Sequence, residues 1–322
     1  MKTTRLLALL VLIALTFTAC SSTASVIDHG ETNDQLYNDD YSFWTRKNSL
    51  KLVTDFNLEY VDDPELLPTE YDWTPLPNSK QSTVEALRKG IVRYFKDTYN
   101  IDLTESIASQ EIRVCPFNQN NDEIVTLGFY RDSVLYLESA LFTKEYDFLF
   151  EQIYVHESLH QLGIDSGKDK FLTEGITDAF TDLVLSYMGK EFYATEAYFE
   201  ARTLCYQLIA VDDELPHLYF ESNNSFSMSS RISDRLKNVN QLYSECDNIG
   251  QKLIDLLDVF YSWHAGTIDK NYDLFDYVYD AQELVRAYCR TFTLTKGKIN
   301  YIRKHYLIEN FEQIDIASSF VG

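Results

Sequence analysis

The sequence is poor in basic residues. Lysine and arginine together number 28 against 50 aspartates and glutamates, so that the formal net charge is −22 at pH 7. Nucleic-acid binding needs a basic surface that meets the phosphates, and this balance therefore argues against nucleic acid as a partner. It also disfavours strongly anionic substrates. The length of 322 residues and the 45% of hydrophobic residues are ordinary for a globular protein of one or two domains.

Cysteine is scarce and widely spaced. After Cys20 the cysteines are Cys115, Cys205, Cys246 and Cys289, and none stands in a CxxC or other metal-ligand spacing. These four cysteines allow three disulfide pairings in an oxidising compartment. Buried thiols fit their apolar surroundings equally well, so the sequence does not decide between the two.

Long apolar runs are missing after the N-terminus, and the sequence therefore predicts no transmembrane helix there. Residues 6–15 form a short apolar stretch, and TFTAC places Ala19 directly before Cys20. This arrangement resembles a bacterial lipoprotein signal. The resemblance implies that residues 1–19 are removed, that Cys20 is acylated, and that the protein is extracytoplasmic and lipid-anchored to the cell membrane. A plain secretory signal that is cut nearby is the alternative.

The remaining chain divides into three parts by its pattern. Residues 20–49 are polar, acidic and aperiodic, as expected of a flexible tether. Residues 50–189 mix strand-like and helical segments, whereas residues 190–322 keep a helical periodicity of three to four. We therefore expect an α+β fold, in which a small mixed or antiparallel sheet packs on helices and an α-helical region follows.

Individual elements can also be predicted. A capping box at Ser82 and Glu85 predicts a helix that begins at Ser82. β-branched and aromatic residues predict strands at EIRVCPF (111–117), EIVTLGFY (123–130) and SVLYLES (133–139), of which the last two pair. Helical periodicity predicts helices near 145–162, 173–188, 190–211, 231–246, 250–263, 270–292 and 296–310.

Residues 155–163 read VHESLHQLG, with two histidines four residues apart. A helix brings residues i and i+4 to one face, so His156 and His160 can direct two imidazoles at one point. Two imidazoles leave room on a zinc ion for a third ligand and a water, and Glu157 stands where it can accept a proton from that water. The alternative is a surface helix that carries two solvated histidines.

A second motif lies downstream in FLTEGITDAFTDLV (171–184), where Glu174 and Asp178 are four apart on a predicted helix. HExxH followed by a helix that reads Glu-x-x-x-Asp resembles the gluzincin zinc peptidases, which include thermolysin-like and aminopeptidase families. The alternative for these two acids is a solvated first helical turn, which the helix dipole favours.

The gluzincin resemblance implies a ligand set and a fold. Zn²⁺ is then bound by His156, His160 and Glu174, while Asp178 hydrogen-bonds a ligand histidine and so determines its tautomer. By the same resemblance, residues 50–189 are expected to form a zincin-like catalytic region. By its position before the HESLH helix, SVLYLES is the candidate edge strand to which an extended peptide would add.

The resemblance also implies a function. We expect zinc-dependent hydrolysis of a peptide or protein substrate, with Glu157 as the general base on a zinc-bound water. A hydrogen-bond donor usually helps to stabilise the oxyanion, and the candidates here are Tyr193, Tyr198, His217 and His264. Neither the substrate nor endo- or exopeptidase action can be deduced from the sequence. A non-catalytic surface lipoprotein that binds a ligand or partner protein is the alternative, and zinc-dependent hydrolysis of a non-peptide substrate is a third possibility.

A competing zinc geometry exists. HESLHQLGIDS also resembles the start of a metzincin, HExxHxxGxxH, including the glycine at the bend. The third ligand position would then be Ser166, which is a poor zinc ligand. Asp165 lies one residue before that position. The gluzincin pattern fits the chain better.

Overall fold

A mixed β-sheet and a set of α-helices form the part of the chain that the computed structural model describes. These residues are 72–116, 127–131, 133–163, 174–193, 199–221, 226–239, 241–264 and 274–305. The predicted lipoprotein signal, Cys20 and the tether lie outside these ranges, and the proposed boundary at residue 189 stays a prediction. Within the described ranges, no helix combines the length and the apolar character needed to cross a membrane.

The sheet has four described strands. They are β1 (Thr74–Pro75), β2 (Glu111–Cys115), β3 (Gly128–Arg131) and β4 (Val134–Glu138). Their order is β1-β2-β4-β3, with β2 and β4 parallel and the two outer pairs antiparallel. The α+β prediction and the predicted pairing of the last two strands are confirmed. The prediction that SVLYLES forms the edge is wrong, because β4 lies between β2 and β3 and so leaves β3 at the edge.

Helices dominate the described chain. They are α1 (Asn78–Tyr99), α2 (Thr104–Ala108), α3 (Phe150–Leu162), α4 (Ile176–Tyr187), α5 (Phe199–Val211), α6 (Glu214–Glu221), α7 (Phe226–Lys237), α8 (Gln241–Ser244), α9 (Ile249–His264), α10 (Leu274–Cys289) and α11 (Lys296–His305). Short 3₁₀ helices at Ser139–Phe142 and Asp147–Leu149 lead from the sheet into α3.

Several predicted helix boundaries are wrong. In the predicted helix 190–211, residues 190–193 are not helical and the described helix is α5 (Phe199–Val211). Helix α1 begins at Asn78, directly after Pro77, so that Ser82 lies inside the helix and caps nothing. Pro77 has an extended backbone (φ −56°, ψ 138°) and precedes the first helical residue. The helix can begin directly after it because α1 itself contains no proline. The predicted helix 231–246 is two helices, α7 and α8, which are separated by a turn near Asn238.

Helix α3 lies at the centre of the core. It packs against β3 and β4, α1 and α4, and buries most of its residues, including Phe150, Val155 and Leu159. Its side away from the two histidines carries a buried polar network. Tyr154 Oη and Ser158 Oγ donate hydrogen bonds of 2.8 and 3.2 Å to the side-chain oxygen of Gln110. This network holds the HESLH helix from behind, since each of these buried hydroxyl groups has a partner on another element.

The four cysteines among the described residues are buried free thiols. Burial raises the pKa of Cys289 to about 12, so this thiol stays protonated at neutral pH. Of the two alternatives that the sequence left open, the structure has the buried thiols.

The back half of the fold contains a close helix crossing. Gly250 of α9 faces α7, and its backbone N–H donates a 2.8 Å hydrogen bond to Ser233 Oγ. A Cβ at Gly250 would lie 1.9 Å from the carbonyl oxygen of Ser229. Backbone atoms of a packed helix cannot move aside as a flexible side chain can, so the crossing requires glycine here.

We therefore expect Gly250→Ala to destabilise the protein by about 1–3 kcal/mol through overpacking. Urea unfolding followed by circular dichroism measures this change. Gly297→Ala is the matched control, because the nearest atom to its added Cβ is Thr295 Oγ1 at 3.8 Å. The control should leave stability within about 1 kcal/mol of the wild type. Equal stability of both variants would contradict the close crossing.

Candidate metal centre

Helix α3 and the start of α4 bring three potential ligands together. His156 Nε2 and His160 Nε2 lie 3.0 Å apart, and Glu174 Oε2 lies 3.4 Å from each of them. Glu174 belongs to a π-helical turn that leads into α4. Within the described ranges, these three residues form the only group of histidine, cysteine or acidic side chains arranged to hold a metal ion.

The spacing of these three atoms fits zinc. Zinc binds histidine nitrogen and carboxylate oxygen at about 2.0–2.2 Å with tetrahedral geometry. Ligand atoms at two corners of such a tetrahedron are then about 3.3 Å apart. The observed separations of 3.0 to 3.4 Å match this value. The fourth corner is left for a water or a substrate, as in catalytic rather than structural zinc sites.

The outward-facing nitrogens of both histidines also have partners. His156 Nδ1 lies 3.3 Å from Asp178 Oδ1, and His160 Nδ1 lies 3.4 Å from Thr177 Oγ1. Thr177 Oγ1 in turn lies 2.5 Å from the hydroxyl of Tyr219. The Asp178 carboxylate accepts a hydrogen bond, so its contact favours a proton on Nδ1 of His156 and leaves Nε2 for a metal. The Thr177 hydroxyl both donates and accepts, so its contact orients the ring of His160 without selecting its tautomer. The sequence predicted the Asp178 contact, but it contained no signal for Thr177 or Tyr219.

Gly163 has a packing role in addition to ending the HESLH helix. It ends α3, yet its φ of −93° is one that any residue adopts. Its importance lies in packing, because a Cβ would approach the ring of Tyr219 to 2.3 Å. The missing side chain therefore lets Tyr219 lie over the end of α3 and reach Thr177.

Glu157 lies beside the three ligand candidates, against the edge strand β3. It is 7% exposed. A Cβ at Gly128 of β3 would lie 2.8 Å from Glu157 Cγ and 3.1 Å from Glu157 Oε1. The glycine therefore provides the space that the glutamate side chain occupies.

The electrostatics of the centre favour a positive charge. Burial alone would lower the pKa of His156, but the carboxylates of Asp178 and Glu174 raise it well above its usual value. Burial likewise opposes ionisation of Glu174, but the two imidazoles lower its pKa far below the usual range. Without a metal, a proton thus supplies the charge that a cation would bring.

Burial is the largest single influence on the pKa of His156, Glu174 and Glu157, but only at Glu157 does it outweigh the charged neighbours, so that the pKa of this carboxyl is raised. The two imidazoles oppose this rise and Glu174 adds to it. A carboxyl group whose pKa moves towards neutrality both accepts and returns a proton more readily. This property suits a residue that exchanges protons without binding the metal.

The structure does not bring the described oxyanion-donor candidates to the ligands. Tyr193 exchanges hydrogen bonds with Gln152 through its backbone, and 38% of its surface is exposed. His217 pairs with a glutamate one turn later in α6. Tyr198 and the side chain of His264 lie outside the described residues, as do Asp165 and Ser166 of the competing metzincin pattern.

Comparison of the chain with protein-family models, curated proteins and solved structures gave no match. A function for this protein can therefore be inferred only from the geometry and chemistry of the metal centre and its surroundings.

We expect one zinc ion per chain and a corresponding gain in stability. Zinc at a hundredfold excess over its Kd should stabilise the folded protein by about 2.7 kcal/mol, and a chelator should reverse the gain. Thermal unfolding with and without zinc, together with metal analysis, measures both effects. His160→Ala should abolish the gain, whereas His217→Ala, which removes a histidine outside the centre, should retain it. A zinc response in His160→Ala equal to that of the wild type would contradict the assignment.

Proposed function

We propose that the protein is a zinc metallopeptidase of gluzincin type, which hydrolyses peptide bonds outside the cytoplasm while a lipid at Cys20 anchors it to the membrane. The observation that carries this proposal is the triangle of His156, His160 and Glu174, whose edges match tetrahedral zinc. Asp178 on one imidazole and Glu157 beside the triangle supply a partner that orients a ligand and a group that can accept a proton.

A bound zinc ion would act as a Lewis acid and make a water molecule acidic near neutral pH. The side chains of this protein then have separate tasks. His156, His160 and Glu174 would bind the ion, and Asp178 would orient the first imidazole. Glu157 would accept the proton of the attacking water and pass it to the leaving amine, because it is next to the centre without belonging to the ligand triangle.

The edge strand supports a peptide as the substrate. Among the described strands, β3 pairs with β4 alone, and an edge strand can add an extended peptide through backbone hydrogen bonds. Gly128 at the start of β3 touches Glu157. A peptide bound along β3 would therefore pass beside the proposed base.

Replacing Glu157 by Gln tests the proposed base. The amide keeps the shape of the side chain but cannot accept a proton, so kcat should fall by at least about a hundredfold. Zinc should remain at one ion per chain, since Glu157 is not among the ligands. Cleavage of a mixture of quenched fluorescent peptides measures turnover, and metal analysis of the same sample measures zinc.

Other results of this experiment would contradict parts of the proposed function. A Glu157→Gln variant that still cleaves peptides removes Glu157 as the base. A wild-type chain that binds zinc but cleaves no peptide favours the non-catalytic lipoprotein, unless it hydrolyses a non-peptide ester or amide. Such hydrolysis would support the third possibility.

Gly128→Ala tests the fit between the edge strand and the base. The added Cβ would displace the side chain of Glu157, and a displacement of about 1 Å can reduce the rate about a hundredfold. Zinc affinity should not change, because the three atoms nearest to the new Cβ belong to Glu157 and Ile153 and not to a ligand. Gly297→Ala is the control for glycine replacement as such. Unchanged kcat in Gly128→Ala would show that the position of Glu157 does not depend on this contact.

A further inference from the structure

A buried arginine lies behind the candidate metal centre. Arg202 of α5 is 5% exposed, and among the described residues it is the only buried lysine or arginine. Removing a guanidinium from water costs several kcal/mol unless charged partners compensate for it. The burial of Arg202 therefore depends on acidic groups close to the guanidinium.

Two acids of α4 are among the neighbours of Arg202. Arg202 Nη1 lies 3.2 Å from Asp182 Oδ2 and 3.6 Å from Asp178 Oδ2. These acids are one helical turn apart and are 2% and 1% exposed. Tyr206 Oη donates a 2.8 Å hydrogen bond to the same oxygen of Asp182 that faces the guanidinium. One cation thus lies between two buried carboxyl groups.

The two oxygens of Asp178 face different partners. Oδ1 lies 3.3 Å from Nδ1 of His156, while Oδ2 faces the guanidinium of Arg202. A chain of contacts therefore runs from the metal-facing imidazole of α3 through α4 to α5. Asp178 thus lies between the imidazole and the guanidinium, whose Nη1 contacts it as an ion pair without a hydrogen bond.

We propose that Arg202 is a positioning residue of the metal centre, which holds the Asp178 carboxylate against His156 and so strengthens metal binding. This inference rests on the proposed zinc site. Asp182 is not the only acidic partner of the guanidinium. Burial raises the pKa of Asp182 to about 7 in spite of the nearby guanidinium, and Asp178 is a second buried acid within ion-pair distance of it.

The test compares Arg202→Met with a control from the same cluster. Partners that orient a metal-bound histidine typically change metal affinity about 10- to 100-fold. We expect Arg202→Met to raise the zinc Kd within this range, as measured by competition with a chromophoric chelator. Arg202→Lys should recover part of the affinity. The visible spectrum of the Co²⁺-loaded protein should also shift in Arg202→Met, since the spectrum reports the geometry of the ligands.

Tyr206→Phe is the matched control, because it removes a hydrogen bond to Asp182 and leaves the contacts of Asp178 with His156 and Arg202 in place. It should lower the melting temperature of the metal-free protein but leave the zinc Kd and the Co²⁺ spectrum unchanged. If Arg202→Met does not fold, the double variant with Asp182→Asn removes the unpaired acid as well. The double variant should lose zinc affinity to the same extent, whereas Asp182→Asn alone should retain it.

The outcomes separate this inference from the proposed function. A wild-type chain that binds no zinc overturns both. A wild type that binds zinc, together with Arg202→Met or the double variant that binds it equally well, overturns the role of Arg202 alone. A loss of affinity in Tyr206→Phe as large as that in Arg202→Met would also overturn it, because the cluster would then act only through general stability.

Discussion

The carboxylate of Glu174 reaches two imidazoles of another helix because α3 and α4 pack side by side in the core. Helix α4 is buried from Ile176 to Leu185, so its position is determined by packing on every side. Apolar contacts such as the edge-to-face pair of Phe180 with Phe95 of α1, 5.1 Å between ring centres, determine where α4 lies. The ligand triangle is a consequence of this packing, and the polar contacts behind it depend on the same arrangement.

The packing of α3 against α4 places several acids in the interior. Glu157, Asp178 and Asp182 are buried and Glu174 is half-buried, whereas Arg202 is the one buried guanidinium among the described residues. Buried charges are stable only when they are paired or bind a metal. A divalent cation at the triangle would remove most of the excess negative charge. Without a metal, the pKa of His156 is raised and that of Glu174 is lowered, so that a protonated imidazole compensates for part of this negative charge.

Local spacing predicted the parts of the centre that depend on one helix. His156 and His160 share a face because they are four residues apart, and Glu174 and Asp178 share a face for the same reason. The change in periodicity along the chain predicted the α+β class. The periodicity could not predict the strand order, because the pairing of distant strands does not depend on the hydrophobic pattern within each strand. Position in the chain alone places SVLYLES at the edge, whereas β3 occupies the edge in the structure.

Two glycines show why the remaining contacts could not be predicted. Gly128 falls inside a predicted strand and Gly163 directly after a predicted helix, and neither has a left-handed backbone. Each is needed for the side chain that lies against it, Glu157 in one case and Tyr219 in the other. Those partners are 29 and 56 residues away in the chain. The space left by a missing Cβ can be recognised only when the position of the neighbouring side chain is known. The contact of Arg202 with Asp178 likewise joins residues of two different helices.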